Sequence, residues 1–209
     1  MKIGILGASG KFGNLLLREA INRKHDATAI VRDVNKLDFP IENVIEKDIN
    51  SLSTEDIKIF DVVISAFGAP IGEEKPHVYV GKTLINIFEE TNVRLLIVGV
   101  AGSLYIDSFS NKKLIDTGNL SSDVQKTAIG QDKNLKALKE SNINWSYFSP
   151  SANFDKDGLR TGKYRFGNNV LLKNDSGESY LSYSDAALAI LDEVETPNYI
   201  KKQFTVVSE

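Results

Sequence analysis

The stretch Lys2-Ile3-Gly4-Ile5-Leu6-Gly7-Ala8-Ser9-Gly10-Lys11-Phe12-Gly13 decides how the rest of the 209-residue chain is read. A short apolar run, Ile3–Leu6, has the character of a buried strand. It passes directly into Gly7-Ala8-Ser9-Gly10-Lys11-Phe12-Gly13, and a helical pattern begins near Lys11. Strand, small residues, helix is the context that a dinucleotide-binding turn requires. The small residues serve three ends: the chain turns tightly, its amides approach a pyrophosphate, and the helix packs close to the sheet. The helix N-terminus adds free N–H groups and a partial positive charge. The spacing is G-x-x-G-x-x-G rather than G-x-G-x-x-G. Two other strings are decoys for a nucleoside-triphosphate loop. Gly10-Lys11 is followed by Phe12, and Gly81-Lys82-Thr83 has Pro76 where the loop's first glycine should stand. Neither matches G-x-x-x-x-G-K-[ST], so an ATPase or GTPase is excluded.

Outward from this turn, short apolar runs alternate with helical patterns. The runs are Ile3–Leu6, Ala27–Val31, Asn43–Ile45, Asp61–Ala66, Leu95–Val100 and Trp145–Phe148. Several are continuously apolar, as strands buried on both faces are. Val80, Leu84, Ile87 and Phe88 mark one helical face, and Val124, Ala128, Leu135 and Leu138 another. Ser121, Ser122 or Asp123 is available to cap the second of these helices. The expectation is an α/β fold, a Rossmann-type doubly wound parallel sheet flanked by helices. After Pro150, Gly158, Gly162, Gly167 and Gly177 break any long helix. Residues 151–183 are read as an irregular segment of loops and short strands that covers the substrate. Ser184-Asp185 then starts a helix that stops before Pro197, and Phe204–Val207 is a final short strand. The whole chain, 1–209, is read as a single domain.

Composition removes many chemistries. The chain has no cysteine, so disulfides, zinc–thiolate sites and cysteine nucleophiles are excluded. Two histidines, His25 and His77, make a multi-histidine metal site a poor prospect, and no metal is expected. Lys plus Arg total 25 against 28 Asp plus Glu, without the basic excess of a nucleic-acid binder. The longest apolar stretch, 95–102, is too short to span a bilayer, which needs roughly 20 residues. With no targeting pattern at its start, the chain is read as cytoplasmic.

The second strand closes on Val31-Arg32-Asp33. An acid about 20 residues past the glycines holds the ribose 2′-hydroxyl of NAD, whereas an Arg accommodates the phosphate of NADP. Arg32 stands first, with Lys36 four residues on, which favours NADP. Asp33 keeps NAD open, because a one-residue shift would put it in the place assigned to Arg32. Asp48 could accept from the adenine amino group or cap the next turn.

Further segments resemble a known group. Gly7–Gly13, Arg32–Lys36 and Ser65-Ala66-Phe67-Gly68 are similar to the atypical short-chain dehydrogenase/reductases. More narrowly, Gly99-Val100-Ala101-Gly102-Ser103-Leu104, residues 145–150, Arg160-Thr161-Gly162-Lys163-Tyr164 and Ser184-Asp185-Ala186-Ala187 resemble the proteins named NADH-flavin reductases. These are related to biliverdin-IX-beta reductase and the NmrA-like NADP sensors. Many members carry the flavin-reductase name by analogy. The resemblance implies that Ser65, Ala66 and Phe67 pass under the cofactor's ribose and pyrophosphate. It also implies that Val100, Ala101, Gly102 and Ser103 lie beside the nicotinamide, and that Ser149-Pro150-Ser151 covers the ring.

Ordinary short-chain dehydrogenases protonate a carbonyl oxygen with Tyr-x-x-x-Lys. None of the seven tyrosines here has Lys four residues later. Such an acid typically contributes ~10²–10⁴-fold, so its absence argues against an efficient alcohol dehydrogenase or sugar-nucleotide epimerase. Flavin reduction needs less, because the ring accepts hydride directly and solvent can supply the proton. In that reading Ser103 is an orienting hydrogen-bond partner, and Phe67, Pro70, Pro150 and Phe154 build the apolar cover. Thr127-x-x-x-Gln131 is read as a polar helix edge, with the helix turn where the Tyr-Lys pair normally lies as the alternative. His77 lines the substrate mouth or is merely exposed. Two functions remain. One is an NADPH-dependent reductase of a flavin or quinone-like small molecule. The other is an NADP-binding redox sensor that acts through a protein partner. Monomer and homodimer both stay open.

Overall fold

The computed structural model describes residues 1–209. Its elements run β1 (Lys2–Leu6), α1 (Lys11–Asn22), β2 (Asp26–Val31), β3 (Val44–Glu46), α2 (Thr54–Ile57), β4 (Val62–Ser65), α3 (Lys75–Phe88) and β5 (Arg94–Val98). They continue with α4 (Ser122–Glu140), β6 (Trp145–Phe148), β7 (Asn153–Asp155), β8 (Tyr164–Gly167), β9 (Tyr180–Ser182), α5 (Tyr183–Glu195) and β10 (Lys202–Ser208). Eight strands form the main sheet in the order β3-β2-β1-β4-β5-β6-β10-β8. All neighbours are parallel except β8, which runs antiparallel to β10. The strand order reverses between β1 and β4, and ligands of open α/β sheets bind at such a switch point, beyond the carboxyl ends of the strands.

The sheet is buried on both faces, which is why β1, β4 and β5 read as continuous apolar runs. On one face Ile3, Ile5 and Leu96 pack with Leu16 and Leu17 of α1 and Ala186, Ile190 and Leu191 of α5. On the other, Leu95 and Ile97 pack with Val80, Leu84 and Phe88 of α3 and Leu135 and Leu138 of α4. The doubly wound fold expected from the sequence is therefore present. No helix is long and apolar enough to cross a membrane.

Two details differ from expectation. Val124 is 41% exposed, so the buried face of α4 begins only at Ala128. The first turns of α4 meet the loop after β4, where Gly72 N–H donates to Thr127 Oγ1 at 2.9 Å. Of the three cap candidates, Ser121 is the one used. The segment 151–183 is also less of a cover than expected. Arg160 pairs with Glu19 of α1 at 2.7 Å, and Thr161 and Gly162 donate their amides to Asp185 of α5. Strand β8 then occupies the edge of the main sheet. Much of the segment is thus strapped along the α1/α5 face, because these charged and polar partners lie down that face.

Candidate active site

The carboxyl ends of β1, β2, β3 and β4 converge on one cavity of about 220 Å³. Gly7, Ser9 and Gly10 form its floor, Arg32, Lys47 and Asp48 one side, and Ala66, Phe67 and Gly68 the other. Whole small-molecule sites usually measure ~300–1,000 Å³, so a dinucleotide seated here would extend past it toward β5 and β6.

The glycine turn is shaped for a close approach. Gly7 has φ +81°, a backbone conformation that side chains rarely adopt. A Cβ on Gly13 would lie 2.2 Å from the Gly7 carbonyl oxygen, so only glycine lets α1 start this close to β1. Gly10, the N-cap of α1, brings no capping side chain, and the first turn holds no acid. The positive end of the helix is left to an anion. Ala8 and Phe12 are buried behind the turn, while Ser9 and Lys11 are exposed on it. This cradle suits a pyrophosphate.

Parallel pairing of β2 and β3 sets the charge of the opposite wall. Val31 is in register with Glu46, so Arg32 and Lys47 leave the sheet side by side. Lys47 N–H donates to Val31 O at 2.9 Å, and the Lys47 ammonium pairs with Asp56 at 2.6 Å. Lys47 was missed in the sequence; its signal was adjacency to Arg32 across paired strands. Lys36 does not reach the cavity. Its side chain is 72% exposed and lies 3.9 Å from Asp33, because a 3₁₀ turn over Val34–Lys36 carries it away. Asp33 caps that turn, accepting from Asn35 N–H at 3.0 Å, and does not line the cavity. Asp48 lines the cavity and caps the next turn, accepting from Asn50 N–H at 3.0 Å.

At the ends of β4, β5 and β6, Ser65 is buried while Ala66 and Phe67 are half-buried. Val100 and Ala101 are half-buried, Gly102 and Pro150 are buried, and Pro70 is exposed on the loop after β4. Ser103 departs from its expected role. It is fully buried, donates to Val100 O at 3.2 Å, lies 3.0 Å from Ser149 Oγ, and accepts from Gln203 Nε2 at 2.9 Å. The cause is Gly102, where a Cβ would come within 2.6 Å of Ala128. The turn 101–103 therefore sits directly on α4 and drives Ser103 inward. An orienting hydrogen bond from Ser103 to a substrate is not available in this arrangement.

Phe154 also points elsewhere. It packs on Phe12 at 5.2 Å and Tyr183 at 4.2 Å, an aromatic cluster behind the glycine turn rather than a substrate wall. His77 is neither exposed nor in a loop. It is 3% exposed on α3, edge-on to Phe67 at 5.8 Å, and burial holds its pKa below the usual imidazole range. Gln131 is buried, and its side-chain carbonyl accepts from the Tyr147 hydroxyl at 3.0 Å. Tyr147 is itself fully buried, which raises its pKa. Neither Ser103 nor Tyr147 stands ready as a proton donor.

Comparison with known proteins agrees with this geometry. A family model described as "NAD(P)H-binding" matches residues 7–197. The uncharacterized protein YwnB of Bacillus subtilis (strain 168) is 47% identical over 211 residues, covering 100% of this chain and 99% of its own. A Streptococcus pneumoniae TIGR4 protein described as "a putative NADH-flavin reductase" is 36% identical over the full length of both chains, with a TM-score of 0.94. A "putative epimerase" of Bacteroides thetaiotaomicron is 34% identical, with a TM-score of 0.89 over 99% of this chain and 96% of its own.

Proposed function

The chain belongs to the NAD(P)H-binding family, and on that premise we propose that it is an oxidoreductase passing hydride from NADPH to a flavin or similarly flat conjugated acceptor. One observation carries the choice of NADPH: Arg32 and Lys47 flank the cavity while the Asp33 carboxylate is engaged outside it. Two cations suit a 2′-phosphate, and the acid that would hold an NAD ribose is turned away. Gly7, Ala8, Ser9, Gly10, Lys11, Phe12 and Gly13 cradle the pyrophosphate, and Asp48 faces the adenine. Ser65, Ala66 and Phe67 pass under the ribose and pyrophosphate, and Val100, Ala101, Gly102 and Pro150 lie beside the nicotinamide. Phe67 and Pro70 face the acceptor.

Bound there, the reduced nicotinamide supplies a hydride. The chain itself positions the two flat partners and limits water at the ends of β4 and β5, with Phe67 and Val100 as apolar walls. The engagement of Ser103 and Tyr147 supports an acceptor whose reduction needs no acid from the protein. In this reading residues 1–209 work as one unit.

The test follows absorbance at the nicotinamide band with FMN, riboflavin and a quinone, comparing NADPH with NADH. Acceptor-dependent oxidation with NADPH preferred is the expected result. A preference for NADH overturns the reading of Arg32 and Lys47. Tight NADPH binding without turnover by any acceptor replaces the reductase with an NADP sensor.

A further inference from the structure

Phe67 is a partition. One side of it lines the cofactor cavity, and the other lines a second, much smaller space of about 10 Å³. Into that space project His77 from the first turn of α3, and Gln131 and Asn134 from α4. Two polar atoms here have no hydrogen-bond partner within the chain, His77 Nε2 and Asn134 Oδ1. Their residues are 3% and 6% exposed. Buried polar atoms in folded proteins are nearly always partnered, and leaving one bare is costly. The space reaches the lower end of the ~10–15 Å³ that a single water requires, and the side chains of His77, Gln131 and Asn134 give it polar groups on an otherwise largely apolar lining.

The backbone is built around this arrangement. A Cβ on Gly81 would lie 2.3 Å from Asn134 Oδ1, so glycine at this position lets the amide sit against α3. Gly81 follows His77 by one helical turn, and Asn134 follows Gln131 by one turn on the facing helix. Packing alone would be better served by an apolar side chain at position 134.

We propose that one water is permanently bound in this space, bridging His77 Nε2 and Asn134 Oδ1, and that His77 so anchored is the positioning residue for Phe67. The His77 ring meets Phe67 edge-on, 5.8 Å between centroids at 75°. Burial keeps the imidazole neutral at pH 7 against the opposing pull of Glu73, and no other side chain around the space is charged. A neutral ring offers Nε2 a single hydrogen bond, which the water completes. The consequence for cofactor binding rests on the function proposed above; the water does not.

The experiment counts long-lived internal waters by water-¹⁷O relaxation dispersion and measures the Kd for NADPH on the full-length protein. His77→Leu and Asn134→Leu should each lose one long-lived water relative to the unaltered chain. His77→Leu should also weaken NADPH binding about tenfold through a displaced Phe67. His77→Gln, which keeps a polar group near the Nε2 position, should retain both water and affinity. An unchanged water count in both leucine variants overturns the bound water. Loss of the water with unchanged Kd overturns the positioning role. If the unaltered chain binds no NADPH, the functional reading fails while the water count still decides the bound water. Should His77→Leu not fold, Asn134→Leu and a high-resolution crystal structure of the unaltered chain carry the test, with an empty space overturning the proposal.

Discussion

Arg32 and Lys47 divide the work of recognising the 2′-phosphate in the proposed function, and they differ in surroundings. Arg32 is exposed, whereas Lys47 is held by Asp56. A hydrogen bond to a charged group is worth about 1.5–3 kcal/mol. Arg32→Gln or Lys47→Gln should therefore weaken NADPH binding by roughly 10- to 150-fold and leave NADH binding nearly unchanged. Titration of each variant with both nucleotides checks this, and equal losses for both would refute the assignment. Ser103→Ala should cost about 1 kcal/mol, because Gln203 keeps Ser149 as an acceptor at 2.9 Å. Its turnover should stay within about twofold of the unaltered chain, far from the ~10²–10⁴-fold loss that follows removal of a general acid. Steady-state kinetics beside a melting curve separates the two outcomes. Ser103 was legible as a residue beyond the carboxyl end of β5, but its inward direction was not. That direction depends on Gly102 meeting Ala128 of α4, a contact between segments 26 residues apart.

Among the elements, α5 is tied down by two buried carboxylates that act differently. Glu193 pairs with Arg94 of β5, both almost fully buried, and accepts from the amides of Asn198 and Tyr199 at 2.9 Å. Removing one partner leaves a buried charge uncompensated, so Glu193→Ala should destabilise by about 3–5 kcal/mol. Urea unfolding measures this directly. Asp185 at the start of α5 is pushed upward in pKa by burial. The amides of Gly162 and Thr161 and the hydroxyls of Thr161 and Ser208 outweigh that and hold it below its ordinary value of 3.8. Glu19 on α1 behaves alike, with Arg160 and Arg23 overcoming burial to hold it below 4.5. A depressed carboxylate contributes stability that is present above its unfolded pKa and lost as pH falls through its folded one. The strap from α1 to α5 should therefore loosen below about pH 4, and Asp185→Asn should flatten that acid limb in melts taken from pH 2 to pH 6. The sequence showed helix α5 through Ser184-Asp185 and its stop before Pro197. It did not show that Arg160-Thr161-Gly162 would dock there, because such polar pairings leave no periodic trace.

For the molecule as a whole, cofactor binding should appear as stability. Ligand at 100 times Kd adds about 2.7 kcal/mol to the native state. A domain of this size shifts by roughly 2–4 °C per kcal/mol, so saturating NADPH should raise Tm by roughly 5–10 °C and NADH by clearly less. A thermal melt with each nucleotide checks it, and an equal rise for both would refute NADPH preference. Fold class, the succession of strands and helices up to β6 and the glycine turn were determined by the sequence alone. The physical reason is that they rest on local signals: continuous apolar runs for strands buried on both faces, helical periodicity, and glycines where a Cβ at Gly13 would strike Gly7. The tertiary structure decided which polar side chains share a wall and which are sealed inside. Strand pairing set Lys47 beside Arg32, a 3₁₀ turn removed Lys36 and Asp33, and the packing of α3 on α4 closed His77 behind Phe67. Those directions are set by contacts between distant segments, and residue spacing along one chain does not carry them.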